Sequence, residues 1–566
     1  MKKIKTLFIL TSLLILGSCE TFDMEQTDSK SQVPTQLLEP VYAFNYVQLQ
    51  LPVFVDDAND FTQRVTRQMA MTGGNTYENA FKPVNFNTVW SDGYNILNAV
   101  KIMEPKAIAN SQTYILGASK LIRVYVLMTM VDMFGDIPYS EALQGNANLT
   151  PKFDKDSDVY RNLLVEIDDA IAYLNQDNAN DTKVQDLYYD SKIKWKTLAN
   201  TLKLKLYNNA RLAGAEIGVA NIGDTINSLI ANNNIIDTIE EDFQFQYGNS
   251  RFNPNTRHPL YNDQYELGGG AYIGNYIMWA MLKGKSVEDP RTKFYFLRQG
   301  TLPTNDPFTI PKKSRPEHYN LEQYRSIYNN ARISYLTADW ISTLAASNYT
   351  SNDYLGRDHG DNSGIPPDAT LRAVAGIYPI GGAYNNSVQN VQASGTAGSQ
   401  GAGIMPILLS SYVKFILAEV DLEINNSPEN ALAKLKSGID LSITKTTTFI
   451  KMPSNIPPAS TIQTMKDNYI SNVETSYSNP STSLSKKLEI IITEYYIASW
   501  GNGIEPYNNY RRTGYPSNFQ PTLEEDSGPF FYRALYPGSV ENNNPNMPGN
   551  VRTKKVFWDK LTTDLH

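Results

Sequence analysis

Four pairs of segments with helical hydrophobic periodicity are the feature that most restricts how this 566-residue chain can fold. Within each segment, apolar residues recur at spacings of three and four, which places them on one face of a helix. Two pairs lie within about 92–213 and two within about 406–500. Because such faces are buried against partner helices, the sequence predicts a mainly α-helical protein of four tetratricopeptide-like helix pairs. An irregular helical bundle would produce the same periodicity.

The first pair contains the most apolar run in the body of the chain. Residues 124–131 are almost entirely apolar and lie between Arg123 and Asp132. A membrane-spanning helix needs about 20 apolar residues, and this run is much shorter. We therefore expect a buried core helix that ends at Gly135, since glycine readily adopts the left-handed conformation that closes a helix.

Two long stretches lack helical periodicity. Residues 214–405 are rich in Asn, Tyr, Gly and Pro, and a second loop-rich stretch covers 501–566. Long loops in compact proteins are usually functional or disordered, and the abundance of aromatic residues favours a functional role. The sequence therefore predicts long irregular insertions, with 214–405 supplying ligand-binding loops on a helical scaffold.

The amino terminus has the features of a bacterial lipoprotein signal. Three lysines precede an apolar stretch at 7–16, and the sequence Leu16-Gly-Ser-Cys19 follows it. This pattern resembles a lipobox, in which the cysteine is acylated and becomes the mature amino terminus. Cys19 is the only cysteine in the chain, at the position where a lipobox requires one. An ordinary secretory signal with a chance cysteine is the alternative.

The lipobox gives the expected division of the chain. We expect a lipoprotein signal peptide at 1–18, lipid attachment (palmitate) on Cys19 and a flexible polar tether at 19–35. A single folded domain is then expected at 36–566. Acyl chains, and not a membrane-spanning helix, should hold this domain to its membrane.

The composition argues against several classes of protein. With 50 basic and 58 acidic side chains, the chain lacks the positive charge that binding to a nucleic-acid backbone requires. One cysteine cannot form an intrachain disulfide or a multi-cysteine metal site. The four histidines are too scattered along the sequence to suggest a histidine metal cluster.

The sequence also lacks recognisable catalytic motifs. Residues 284–286 end like a phosphate-binding loop, but Trp279 stands where the first glycine is required. Neither HExxH nor GxSxG occurs. Glycoside hydrolysis needs two carboxylates, and the acidic clusters at 240–242 and 524–526 lie in no recognisable motif. No catalytic residue can be named from these patterns, which favour a binding protein that requires no cofactor.

The segment 353–364 concentrates polar side chains in one loop. Asp358 and Asp361 supply oxygen atoms of the kind that bind a structural calcium ion, although the spacing does not fit an EF-hand loop. A hydrogen-bonded loop is the simpler interpretation. Arg357 and His359 are alternative contacts for a polar ligand.

Aromatic residues are the main candidates for ligand contact. The chain contains 6 Trp, 36 Tyr and 21 Phe. Aromatic faces beside amides and carboxylates suit sugar rings or peptide side chains, whereas packing in the core is the alternative for each ring. The predicted ligand surface comprises Tyr272, Tyr276, Trp279, Tyr354, Arg357 and His359.

Several short blocks occur in the order expected for one family of bacterial proteins. They are 132–142 (DMFGDIPYSEA), 151–154, 195–203, 289–291, 357–364, 401–406 and 494–516. Together with the lipobox, these blocks resemble the SusD/RagB family of outer-membrane lipoproteins of Bacteroidetes over nearly the whole mature chain.

The resemblance implies a SusD-like helical fold and a non-catalytic role. It also implies a nutrient-binding lipoprotein of the outer membrane, facing the cell exterior, that captures an oligosaccharide and delivers it to a SusC-like TonB-dependent transporter. Members of the family differ in their loops, so no binding residue can be transferred. A peptide ligand, a lipid-anchored glycoside hydrolase and a purely structural subunit of the transporter are the alternatives.

Overall fold

The computed structural model describes residues 39–71, 76–268, 271–282, 285–298, 356–357, 359–360, 373–385, 393–448, 456–520, 522 and 527–566. The signal peptide, Cys19, the tether and three residues predicted as ligand or metal contacts, Tyr354, Asp358 and Asp361, lie outside these ranges.

The described residues are mainly helical. Their α-helices are α1 (Pro40–Val65), α2 (Tyr77–Ala80), α3 (Asn87–Ala109), α4 (Thr113–Phe134), α5 (Asp156–Leu174), α6 (Lys192–Asn209), α7 (Ile222–Asn232), α8 (Pro259–Tyr261), α9 (Asn275–Leu282), α10 (Thr292–Tyr295), α11 (Ser410–Glu423), α12 (Pro428–Thr448), α13 (Ala459–Ser478), α14 (Leu484–Ala498), α15 (Ile504–Thr513) and α16 (Gly538–Asn543). The strands are β1 (Phe243–Gln246), β2 (Phe296–Leu297), β3 (Val374–Ala375) and β4 (Ile404–Leu408).

The four predicted helix pairs are present, which confirms the fold class. They are α3 with α4, α5 with α6, α11 with α12, and α13 with α14. The first two pairs join because α4 packs on α5 and α6, and the last two join because α12 packs on α13 and α14.

Helix α4 is the centre of the first half of the protein. All residues at 124–131 are buried, as predicted, and the helix ends at Gly135, whose φ is 79°. Gly117 lets α5 approach closely, since a Cβ atom there would lie 2.4 Å from Cγ of Leu174. Within the described residues, α4 is the one helix long and apolar enough to cross a membrane, but 89% of its most apolar window is buried in the protein.

Three described helices of ten or more residues lie where the sequence pattern did not indicate them. Helix α1 precedes the first predicted pair and packs on α3, α4 and α15. Pro52 inside α1 removes a backbone hydrogen-bond donor, which made a continuous helix difficult to recognise. Helix α7 lies in the stretch expected to be loop-rich, and α15 lies in the loop-rich tail.

The block at 132–142 has a structural role at the end of α4. The Asp132 carboxylate is buried and accepts hydrogen bonds from Trp558 Nε1 at 2.9 Å and Asn508 Nδ2 at 2.7 Å. Asn508 belongs to α15, and Trp558 lies near the carboxyl terminus. The block therefore holds the end of the chain against the first helix pair.

Two short antiparallel sheets organise the long insertion between α7 and α11. Strand β1 pairs with β4, with Phe243 opposite Leu408 and Gln246 opposite Ile404. Strand β2 pairs with β3. The first sheet brings both ends of the insertion together beside α1, which also contacts β4.

Candidate functional site

The segment around α9 lies between two cavities. Cavity A, of about 470 Å³, has Tyr272 in its wall, and cavity B, of about 380 Å³, has Tyr276 and Trp279 in its wall. The exposed fractions of these residues are only 6%, 1% and 8% respectively. The three aromatic residues therefore belong to two separate concave regions.

Tyr272 and Arg357 are brought together. The Arg357 guanidinium lies over the Tyr272 ring, with its carbon 4.6 Å from the ring centroid. The backbone fixes this contact, because Arg357 N donates to Ile273 O at 3.0 Å and Asn275 N donates to Arg357 O at 2.8 Å.

His359 lies apart from both cavities in a buried cluster. Its Nε2 is 3.1 Å from the Tyr77 hydroxyl, and its backbone N–H donates to Gln520 Oε1 at 2.9 Å. Burial, together with the positive charges of Arg67 and His566, holds the pKa of His359 well below its ordinary value. The imidazole is therefore neutral at physiological pH.

Cavity B combines aromatic rings with hydroxyl and amide groups. The Tyr276 hydroxyl donates to Asn518 Oδ1 at 2.8 Å, and its ring packs against Phe519 at a centroid distance of 5.0 Å. The charged groups of this cavity are paired: Lys285 with Glu494, and Lys486 with Glu489. The hydroxyl-bearing residues in its wall are Ser286, Ser476, Thr482 and Thr493.

Cavity A is formed by segments that are far apart in sequence. The second half of α1 forms one wall, and residues 258–263 and 379–380 of the insertion form another. Trp500 and Gly501, directly after α14, contribute as well. The apolar part of its wall includes Met69, Leu260, Pro379, Ile380, Met405 and Trp500.

Some polar groups of cavity A have structural partners. Asn59 Nδ2 donates to Gly501 O at 3.0 Å, and its Oδ1 accepts from Gly503 N at 2.8 Å. Arg64 forms an ion pair with Asp60. His258 Nδ1 accepts from Leu260 N at 3.1 Å, and burial lowers the pKa of His258 to about 3.

Other polar groups of cavity A have no partner within the described part of the chain. The Asp56 carboxylate has no hydrogen bond or ion pair there, and burial together with the nearby Asp60 charge raises its pKa to about 7. Asp263 Oδ2 and Trp500 Nε1 are buried without a hydrogen bond. Because buried polar groups are normally hydrogen-bonded, the Asp263 and Trp500 atoms mark cavity A as a candidate site for a polar ligand.

The sequence reasoning did not identify Asp56, Asp263 or Trp500 as site residues. The spacing of residues along the sequence does not reveal them, because the three residues come from three distant segments. The available signal was the acidic group at 56–60, which interrupts an otherwise apolar stretch of α1.

The described residues contain no group of three or more His, Cys, Asp or Glu side chains arranged to hold a metal ion. The calcium hypothesis concerned Asp358 and Asp361, which lie outside the described residues, so it stays a prediction. The proposed ligand contacts also stay predictions.

The helix pairs carry a long insertion whose residues line two concave cavities, which is the arrangement of a SusD-like fold. Comparisons with known proteins identify the family. Residues 26–338 match the SusD-like family described as starch-binding and associating with the outer membrane. Residues 381–551 match the family described as SusD and RagB outer membrane lipoprotein. The chain therefore belongs to the SusD/RagB family.

Solved structures share this fold. A chitin-binding SusD homologue from Flavobacterium johnsoniae is 19% identical, with a TM-score of 0.58 over 91% of this chain and 97% of that chain. A SusD homologue from Bacteroides uniformis is 17% identical, with a TM-score of 0.61 over 92% and 100%. A SusD/RagB family protein from Bacteroides thetaiotaomicron is 16% identical, with a TM-score of 0.64 over 92% and 99%. No curated protein matches the sequence.

Proposed function

We propose that this protein is a lipid-anchored, non-catalytic nutrient-binding protein that captures an oligosaccharide outside the cell and passes it to a SusC-like TonB-dependent transporter. Membership of the SusD/RagB family supports the outer-membrane setting. The chitin-binding relative supports a saccharide ligand.

The observation that carries the proposal is the wall of cavity A. Sugar rings present apolar C–H faces and many hydroxyls, so a site for them combines aromatic or aliphatic surface with hydrogen-bonding groups. Pro259 and Leu260 provide partly exposed apolar surface, while Asp56, Gln63 and Asp263 provide polar groups. The volume of about 470 Å³ lies within the range of small-ligand sites.

Filling cavity A should weaken saccharide binding. Leu260→Trp places a large ring in the wall of cavity A, and we expect at least a tenfold loss of affinity for chito-oligosaccharides or another bound saccharide. Isothermal titration calorimetry with a panel of oligosaccharides measures this. Circular dichroism checks that the variant is folded.

The matched control fills cavity B. Ser476 is exposed on α13 and lies in the wall of cavity B, so Ser476→Trp should fold normally and leave the affinity unchanged. Loss of binding in Ser476→Trp or Trp279→Ala, with full binding in Leu260→Trp, would assign the ligand to cavity B. A protein that binds no member of the panel would contradict the proposed saccharide ligand.

The same samples test the enzyme and peptide alternatives. Of the two acidic clusters, the one at 240–242 is used structurally, because Asp242 pairs with Lys445 at 2.9 Å and accepts from Ser410 N at 2.6 Å. Release of reducing ends from a polysaccharide, lost in a carboxylate variant, would contradict the binding role. Binding of peptides alone would replace the saccharide by a peptide.

Cys19→Ala should release the protein from the membrane. Without the thiol there is no attachment point for acyl chains, so we expect loss of palmitate labelling and recovery of the protein in the soluble fraction. Thr21→Ala, two residues further on, should keep both properties. Labelling and membrane retention in Cys19→Ala would contradict the lipid anchor.

A further inference from the structure

We propose that cavity A prefers saccharides that carry a protonated amine, such as oligomers of glucosamine, over neutral saccharides of the same length. This inference rests on the proposed saccharide-binding function and adds the charge of the ligand. It derives from the distribution of charge around the cavity and from the atoms left without partners.

The described residues in the wall of cavity A carry an excess of negative charge. Three carboxylates, Asp56, Asp60 and Asp263, stand against one guanidinium, Arg64. Arg64 is already paired with Asp60. Asp56 and Asp263 therefore have no cation among the described side chains of the cavity, and an ammonium group on the ligand would supply it.

The remaining lining groups fit an ammonium-bearing sugar. His258 is neutral at physiological pH because burial lowers its pKa to about 3, so it adds no positive charge. Trp500 and Tyr272 lie in the same wall, but their exposed fractions are only 1% and 6%, so the carboxylates provide the attraction for a cation. Arg357 is not among the lining residues, but its guanidinium lies over the ring of Tyr272, which is.

Asp56 differs from an ordinary surface carboxylate because its ionised form is disfavoured in the folded protein. It is desolvated and lies near Asp60, and its charge also raises the pKa of Tyr247 beyond the effect of burial. The titratable and charged groups around it are Asp57, Asp60 and Arg64 on α1, together with His258, Asp263 and Tyr247. An ammonium ion beside Asp56 would favour its ionised form, and binding would release a proton.

The experiment compares three oligosaccharides of equal length: glucosamine, N-acetylglucosamine and glucose oligomers. We expect the glucosamine oligomer to bind best to the wild-type protein, with an affinity that falls as salt is added. Asp56→Asn should weaken its binding by about tenfold to hundredfold, since a charge-assisted contact is lost. Asp56→Asn should weaken the binding of the neutral oligomers much less, because asparagine keeps a hydrogen-bonding side chain and loses only the charge.

Two further measurements sharpen the test. Asp168→Asn is the matched control, because Asp168 is exposed on α5, far along the chain from the cavity, and should bind like the wild type. Calorimetry in buffers of different ionisation enthalpy should detect proton release below the Asp56 pKa of about 7, and Asp56→Asn should abolish that release.

The outcomes separate this inference from the proposed function. Equal or better binding of neutral oligomers, unchanged in Asp56→Asn, would overturn the amine preference and leave saccharide binding intact. Failure of all three oligomers and of every other saccharide would overturn both. Binding of lysine-containing peptides in place of saccharides would also overturn both.

Discussion

Arg291→Met should lower the free energy of unfolding by about 3–5 kcal/mol, because it leaves the buried Asp289 carboxylate without its paired cation. Arg291 and Asp289 are fully buried and form a two-point pair, with Nε–Oδ1 at 2.9 Å and Nη2–Oδ2 at 2.6 Å. Arg291 Nη2 also contacts Glu494 Oε2 at 3.3 Å, and its Nη1 donates to Ser442 Oγ at 2.8 Å. The guanidinium therefore joins the insertion to α12 and α14.

The matched control removes an arginine from an exposed pair. Arg161 and Asp158 lie one turn apart on α5, and each side chain is 49% exposed. Solvent screens such pairs, so Arg161→Met should cost less than about 1 kcal/mol. Urea unfolding followed by circular dichroism compares the two variants. Equal midpoints would show that the Arg291 network contributes no more than a surface pair.

The helix pairs were predictable because the information for them is local. In α5, for example, Tyr160, Leu163 and Ile167 face the core at helical spacing, and all three are buried. Helix α15 was not predictable in this way. Its consecutive residues Arg511 and Arg512 are buried, although charged side chains usually indicate a solvent-exposed face of a helix.

The burial of these arginines could not be predicted because the residues that pair with them lie far away in the sequence. Arg512 is buried because Glu419, 93 positions earlier, pairs with it at 2.6 Å. No local pattern records that pairing. The resemblance to the family did mark 494–516 as a distinctive block, and the structure gives this block a physical role in the buried charge network.

The candidate site was predictable only in part. The sequence placed Tyr272, Tyr276 and Trp279 together because they fall within eight residues, and the structure distributes them between two cavities. Asp56 and Trp500 meet in cavity A although they are hundreds of positions apart. Their proximity depends on α1 and the end of α14 packing beside the insertion, which only the folded chain defines.

Glu419→Gln should remove about 3 kcal/mol of stability at neutral pH and flatten the acid dependence of unfolding. Glu419 is fully buried between two arginines, with Arg512 Nη2 at 2.6 Å and Arg211 Nη2 at 3.0 Å. Burial alone would raise the pKa of Glu419, but the two guanidinium groups outweigh it and hold the pKa at about 2.

The sign of the pH effect follows from this depressed pKa. An unfolded glutamate has a pKa of about 4.3, so the wild-type stabilisation is complete above that value and is lost as the pH falls towards about 2. Glu419→Gln lacks this carboxylate, so its urea midpoint should change less over the same range. Glu429→Gln, at an exposed position of α12 and outside this arginine pairing, should keep the wild-type slope. A wild-type slope in Glu419→Gln would contradict the assignment of acid sensitivity to the pairing of Glu419 with Arg211 and Arg512.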